Sequence, residues 1–153
     1  MTRPGIRHGV VCGNIHLPIT LWARSGNRGL VATNDAGVLT ERDPDTVRGP
    51  DVLFVSRERW PHDRAPDGFL EVAPDLAVEV LSPYDVWKDL LTKISEYFDA
   101  GVREVWVADP EMKNVQVFRP DAPPRTLHAD EGIESADVLP GFSSAVADFF
   151  VGA

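Results

Sequence analysis

The sequence predicts a single domain of mixed α/β class. Three observations predict it: apolar residues near the start recur at loosely helical spacing, several short apolar runs are bounded by turn residues, and one amphipathic stretch stands between two of those runs. With 153 residues and 43% hydrophobic content, the chain can bury one real core but is too short for two domains of ordinary size. The expected unit is therefore 1–153.

Ile6, Val10, Ile15, Ile19, Leu21 and Trp22 predict a first helix over 6–24, with Pro18 expected to kink or end it. The runs GLVAT at 29–33, GVLT at 37–40 and DVLFVS at 51–56 predict strands. The first two are separated by NDA and read as a hairpin, and ERDPDTVRGP reads as a polar connection. A charged, proline-containing loop at 57–68 leads into APDLAVEVLS at 73–82, the pattern of a strand covered on both faces. SPYD then signals a helix start over 83–100, with Ser82 as N-cap, Pro83 at the first position, Asp85 three residues after the cap and Gly101 as terminator. REVWVAD at 103–109 and NVQVFRP at 114–120 predict a second hairpin turning at PEMK. A Pro-rich connection follows, and LPGFSSAVADFF reads as a terminal helix or turn packed by Phe142, Phe149 and Phe150.

Glu79 is the anomaly in this layout. It stands among Ala77, Val78, Val80 and Leu81 with no basic residue nearby in sequence, and an isolated charge in an apolar layer costs several kcal/mol. It requires a proton, a cation or a set of hydrogen bonds. Alternation along the strand puts Asp75, Ala77, Glu79 and Leu81 on one face, with the Cα atoms of Asp75 and Glu79 roughly 13 Å apart. That span is too long for one metal ion, so a second ligand is expected from a neighbouring strand. Asp51 opens such a strand. Both Asp51 and Asp75 also have a plain alternative as turn residues at a strand entry.

The helix over 83–100 supplies the missing cation. Val86, Trp87, Leu90, Leu91, Ile94, Tyr97 and Phe98 form an apolar arc of roughly 140°, and Lys93 falls about 20° outside it, whereas Lys88 falls within the polar arc. Lys93 either snorkels to solvent or reaches the carboxylates of the sheet. Carboxylates from two strands with one lysine suit metal-assisted phosphodiester cleavage: the acids hold a hard cation such as magnesium, and the lysine meets negative charge developing on the phosphate.

The runs RGPDVLFVS, APDLAVEVLSP, KISEYFDAGVREVWVADP and VLPGF together resemble the Uma-two family of restriction-endonuclease-like proteins, a branch of the PD-(D/E)XK nuclease superfamily. The similarity runs from about His8 to Phe150. It implies a restriction-endonuclease-like (α+β) fold, a mixed β-sheet flanked by helices, and an Mg2+- or Mn2+-dependent endonuclease acting on DNA. Asp51 matches the first acid of the superfamily pattern and Glu79 the second. The position for the usual lysine is Leu81, and the family pattern is similar to one with the lysine moved to the next helix, four residues before a tyrosine, as Lys93 and Tyr97 stand here. Asp75 matches a further aspartate, so the implied metal ligands are Asp51, Glu79 and Asp75, with Lys93 as the catalytic cation. Relatives typically carry a Glu-containing strand and a glycine turn ahead of the first helix, whereas this sequence starts almost at that helix. A catalytically degenerate nuclease-like domain working through protein association is therefore the alternative.

The remaining features set limits. One cysteine, Cys12, rules out an intramolecular disulfide, and no apolar window is long enough to span a membrane, so a cytoplasmic protein is expected. A net charge of −9 opposes a polyanion at long range, so DNA binding requires local positive charge. The four histidines show no metal-ligand spacing, no phosphate-cradling glycine loop is present, and Ser82 lacks a nucleophile elbow. Strands apolar on both faces, together with Trp22, Trp60 and Trp106, suggest uncovered surface and hence a homodimer.

Overall fold

The computed structural model describes residues 3–153. In chain order the elements are α1 (Ile6–Ser25), β1 (Gly29–Thr33), β2 (Val38–Glu41), β3 (Thr46–Arg48), β4 (Val52–Ser56), β5 (Leu76–Val80), α2 (Trp87–Ala100), β6 (Glu104–Asp109), β7 (Asn114–Arg119), β8 (Ala122–Leu127), β9 (Gly132–Ser135), β10 (Leu139–Ala145) and a 3-10 turn (Val146–Phe150). Six strands form the central sheet in the order β1-β4-β5-β6-β7-β8. Only β5 and β6 run parallel within it, joined by the crossover helix α2. The fold is thus mixed α+β with a mostly antiparallel sheet.

Alternation along β5 divides the core. Leu76, Val78 and Val80 pack with Val52, Phe54 and Trp106 against Val11, Ile15, Ile19 and Ala23 of α1 and against Phe142, Val146 and Phe149. Ala77 faces the opposite layer, where Val105 and Val107 meet Leu90, Ile94 and Tyr97 of α2. Glu79 belongs to that second face, two residues beyond Ala77. A smaller cluster of Val38, Leu53, Val55 and Leu70 closes the sheet beside it.

Several expectations from sequence are corrected. GLVAT and GVLT do not pair: β1 lies against β4, and β2 pairs with β3, which was hidden inside the polar connection. α1 runs through Pro18 without a break. The ring costs one backbone hydrogen bond, and the buried stripe of Val11, Ile15, Ile19 and Ala23 offsets that loss. α2 starts at Trp87, not at Pro83. The Asp85 carboxylate accepts the Ser82 N–H at 2.6 Å and the Asp85 N–H donates back to the Ser82 carbonyl, which closes a separate turn ahead of the helix. Val86, Trp87 and Leu91 are exposed, so the covered stripe is narrower than the wheel suggests. Gly101 does end α2, at a φ of 105° that a side chain would disfavour.

The Pro-rich connection is β8, and the terminal segment is β10 followed by the 3-10 turn. The tryptophans named as open surface are satisfied within the chain. Trp106 is fully buried, Trp22 packs edge-on against Phe54 and Phe142, and Trp60 packs against the smallest cluster. A second buried acid, Glu104, was passed over: Trp106, Arg119 and Ser135 all donate to it, tying β6, β7 and β9 together. Such a set is what allows a charge to remain in a core.

Candidate active site

Glu79 lies between the sheet and α2, 7% exposed. Lys93 Nζ stands 2.8 Å from its Oε1, and the Tyr97 hydroxyl donates to the same oxygen at 2.6 Å. Positions 93 and 97 are one helical turn apart, so both polar tips reach one point while Leu90 and Ile94 fill the core beside them. The lysine is the one that borders the apolar arc; Lys88 is exposed on the far side. Oε2 of Glu79 has no hydrogen-bond partner among the described residues. The carboxylate lines a cavity of about 290 Å³ together with Lys93, Arg48, Tyr84, Asp85 and Asp89.

Asp51 sits directly before β4. The antiparallel register pairs Val52 with Val78, which makes Asp51 the next residue opposite Glu79, with Cα atoms roughly 5 Å apart. Its Oδ2 accepts the backbone N–H of Val80 at 2.7 Å, and its own carbonyl accepts the Thr33 hydroxyl at 2.7 Å. His8 of α1 adds a contact that the sequence reading did not foresee: its Nε2 lies 3.3 Å from the same Oδ2, and its Nδ1 lies 3.5 Å from Cys12 Sγ. The available signal was the spacing of His8 and Cys12, one turn apart on a helix.

Asp75 is not brought to this cluster. It stands at the other end of β5, where its Oδ2 accepts the Ser56 N–H at 2.6 Å and its Oδ1 lies 3.5 Å from both Arg59 and Arg103. With 2% exposure and that partner set, it fastens the β4–β5 corner to the start of β6. Of the four expected residues, the fold therefore gathers Asp51, Glu79 and Lys93.

The electrostatics follow from this packing. Desolvation is the largest influence on Glu79 and raises its pKa to about 7; Asp51 adds to the rise, and Lys93 and Tyr97 oppose it. Burial, and then the neighbouring Glu79, raise the Tyr97 hydroxyl, which stays protonated and acts as a donor. His8 is raised to about 10, first by its hydrogen bond to Asp51 and next by that to Cys12, so it carries a proton at neutral pH. Glu79 is thus short of positive charge despite Lys93. Two carboxylates opposite one another on adjacent strands, one belonging to a residue that lines a cavity, are a donor set that suits a hard divalent cation.

The profile of the Uma2 family, described as "Putative restriction endonuclease", matches residues 1–147. Among solved structures, the chain is similar to one described as a "putative nuclease belonging to DUF820" from Anabaena variabilis, with a TM-score of 0.82 at 19% identity, covering 98% of this chain and 83% of that one. At that identity the likeness shows a shared fold. No curated protein matches. Among the described residues, no helix is long and apolar enough to cross a membrane. The chain belongs to the Uma2 family.

Proposed function

We propose that this Uma2-family protein is a metal-dependent endonuclease that hydrolyses phosphodiester bonds of DNA. The observation that carries the reading is the Glu79–Lys93 pair in the wall of an open cavity, with Asp51 opposite Glu79 in the strand register. Asp51 and Glu79 would hold Mg2+ or Mn2+, which when bound polarises a phosphate oxygen and acidifies a water. The other roles belong to the chain. The Val80 N–H fixes one oxygen of Asp51, and Tyr97 fixes one oxygen of Glu79, so the two carboxylates are held before any cation arrives. Lys93 lines the cavity and can meet the charge that develops on the phosphate. Asp75, which the family resemblance suggested as a third ligand, is assigned to the scaffold on its position and its arginine partners.

The same reading takes DNA as partner, the cytoplasm as the place of action and a two-fold dimer as the working state. Its main competitor is a degenerate domain that binds proteins, favoured by the net charge of −9 and by the two further carboxylates, Asp85 and Asp89, in the wall of the cavity. Incubation of supercoiled plasmid with magnesium or manganese, wild type beside Glu79→Ala, separates the two. Nicking that falls by ~100-fold or more in the variant supports the endonuclease. No nicking by the wild type, together with no calorimetric magnesium binding that depends on Asp51 or Glu79, supports the degenerate domain.

A further inference from the structure

We infer that His8, Cys12 and Asp51 form a second cation site, for a thiophilic divalent metal such as zinc or cadmium, which shares Asp51 with the proposed magnesium pair. α1 sets His8 and Cys12 one turn apart on its sheet-facing side, the spacing by which a helix offers two ligands to one metal. β4 brings Asp51 up to them from a distance of about forty residues in sequence. One donor atom from each of the three lies within 4.8 Å of the other two, and all three residues are half-buried. Metal bonds of about 2.0 to 2.3 Å in a tetrahedron imply donor separations of roughly 3.3 to 3.8 Å. His8 Nδ1 stands 3.5 Å from Cys12 Sγ and His8 Nε2 stands 3.3 Å from Asp51 Oδ2, so the imidazole lies between the two other donors and one of its nitrogens has to turn into the space between them to complete the set. Three protein ligands leave a fourth position for water, and the cavity of about 370 Å³ that His8 lines provides the way in.

The donor set decides which metal is taken. Asp51 with Glu79 offers only oxygen, which suits magnesium, while Asp51 with His8 and Cys12 offers oxygen, nitrogen and sulfur, which suit zinc or cadmium. Binding breaks the N–H and S–H bonds of His8 and Cys12, releases those protons to solvent and forms metal–nitrogen and metal–sulfur bonds in their place. A thiophilic cation held there competes with magnesium for Asp51, so zinc lowers the proposed cleavage. Only this consequence rests on the endonuclease reading.

The test is a cadmium titration of the whole protein, read by thiolate-to-cadmium charge-transfer absorption. The expected result is saturation at one cadmium per chain, loss of the absorption in Cys12→Ser, and affinity at least ~10-fold weaker in His8→Ala and in Asp51→Asn. Absorption that keeps its affinity in both of those variants is a lone thiol adduct and overturns the site, as does a wild type with no absorption. Thermal melts of each variant confirm that it is folded. In a second arm, zinc suppresses magnesium-dependent nicking by the wild type and not by Cys12→Ser. If the wild type does not nick plasmid, the endonuclease reading falls while the cadmium titration still decides the site.

Discussion

The ammonium of Lys93, fourteen residues beyond Glu79 and on a different element, rests 2.8 Å from the Glu79 carboxylate. Glu79 sits in a largely buried layer, and Lys93 is the cation at the rim of the helix that covers that layer. The pair is still incomplete, because burial holds Glu79 at about 7 with the lysine in place.

Stability should fall as pH rises. Glu79 moves from 4.5 in the unfolded chain to about 7 in the fold, and His8 from 6.5 to about 10. Both bind a proton more tightly when folded, so their contributions are fully present below the unfolded values. They are lost between 4.5 and about 7 for Glu79 and between 6.5 and about 10 for His8. For Glu79 the loss is on the order of 3 kcal/mol. Urea melts across this range should show the decline, and Glu79→Gln should remove its lower portion. At about pH 8 without metal the variant should be as stable as the wild type or more so. A variant several kcal/mol weaker there would mark Glu79 as a structural ion-pair member.

Lys93→Met should abolish most cleavage, by ~100-fold or more, whereas Lys88→Met should leave it unchanged. The fold should survive both, since Lys93 is partly exposed and Lys88 is exposed. Lys93→Met should also push Glu79 further up, which carboxyl-resolved NMR titration would read directly. Tyr97→Phe should do the same to a smaller extent and cost about 1 to 3 kcal/mol, because it removes a charge-assisted donor from a buried acid.

Magnesium should raise the melting temperature through Asp51 and not through Asp75. At a hundredfold excess over its dissociation constant a ligand adds about 2.7 kcal/mol. That gain should vanish in Asp51→Asn. Asp75→Asn should lower stability by about 1 to 3 kcal/mol, through the Ser56 N–H and the arginines it holds, and still respond to magnesium. Equal loss of the magnesium response in both variants would return Asp75 to the ligand set.

Self-association should involve the outer face of α1. Ile6, Leu17 and Leu21 fall within roughly 60° of one another on that helix and are 87%, 59% and 59% exposed. Sedimentation at micromolar concentration should give twice the 16.8 kDa of one chain, and Leu17→Lys with Leu21→Lys should return the monomer. A wild type that sediments at one chain's mass would remove the dimer.

What the sequence by itself determined depends on near neighbours. Period-two alternation assigned Glu79 to the face of Ala77, helical periodicity chose Lys93 over Lys88, and the glycine at 101 marked the end of α2, because each is set within a few residues of backbone geometry. The tertiary structure alone decided the partners. Nothing in GLVAT says that it will lie against DVLFVS rather than GVLT, since a strand's pattern records which face is buried and not which strand is adjacent. The same holds for the site. Asp51 and Asp75 look alike as acids at strand entries, but the antiparallel register carries Asp51 to Glu79 and leaves Asp75 at the opposite end with Arg59 and Arg103. His8 reaches Asp51 only because α1 packs across the sheet, a contact between elements forty residues apart that no local rule encodes.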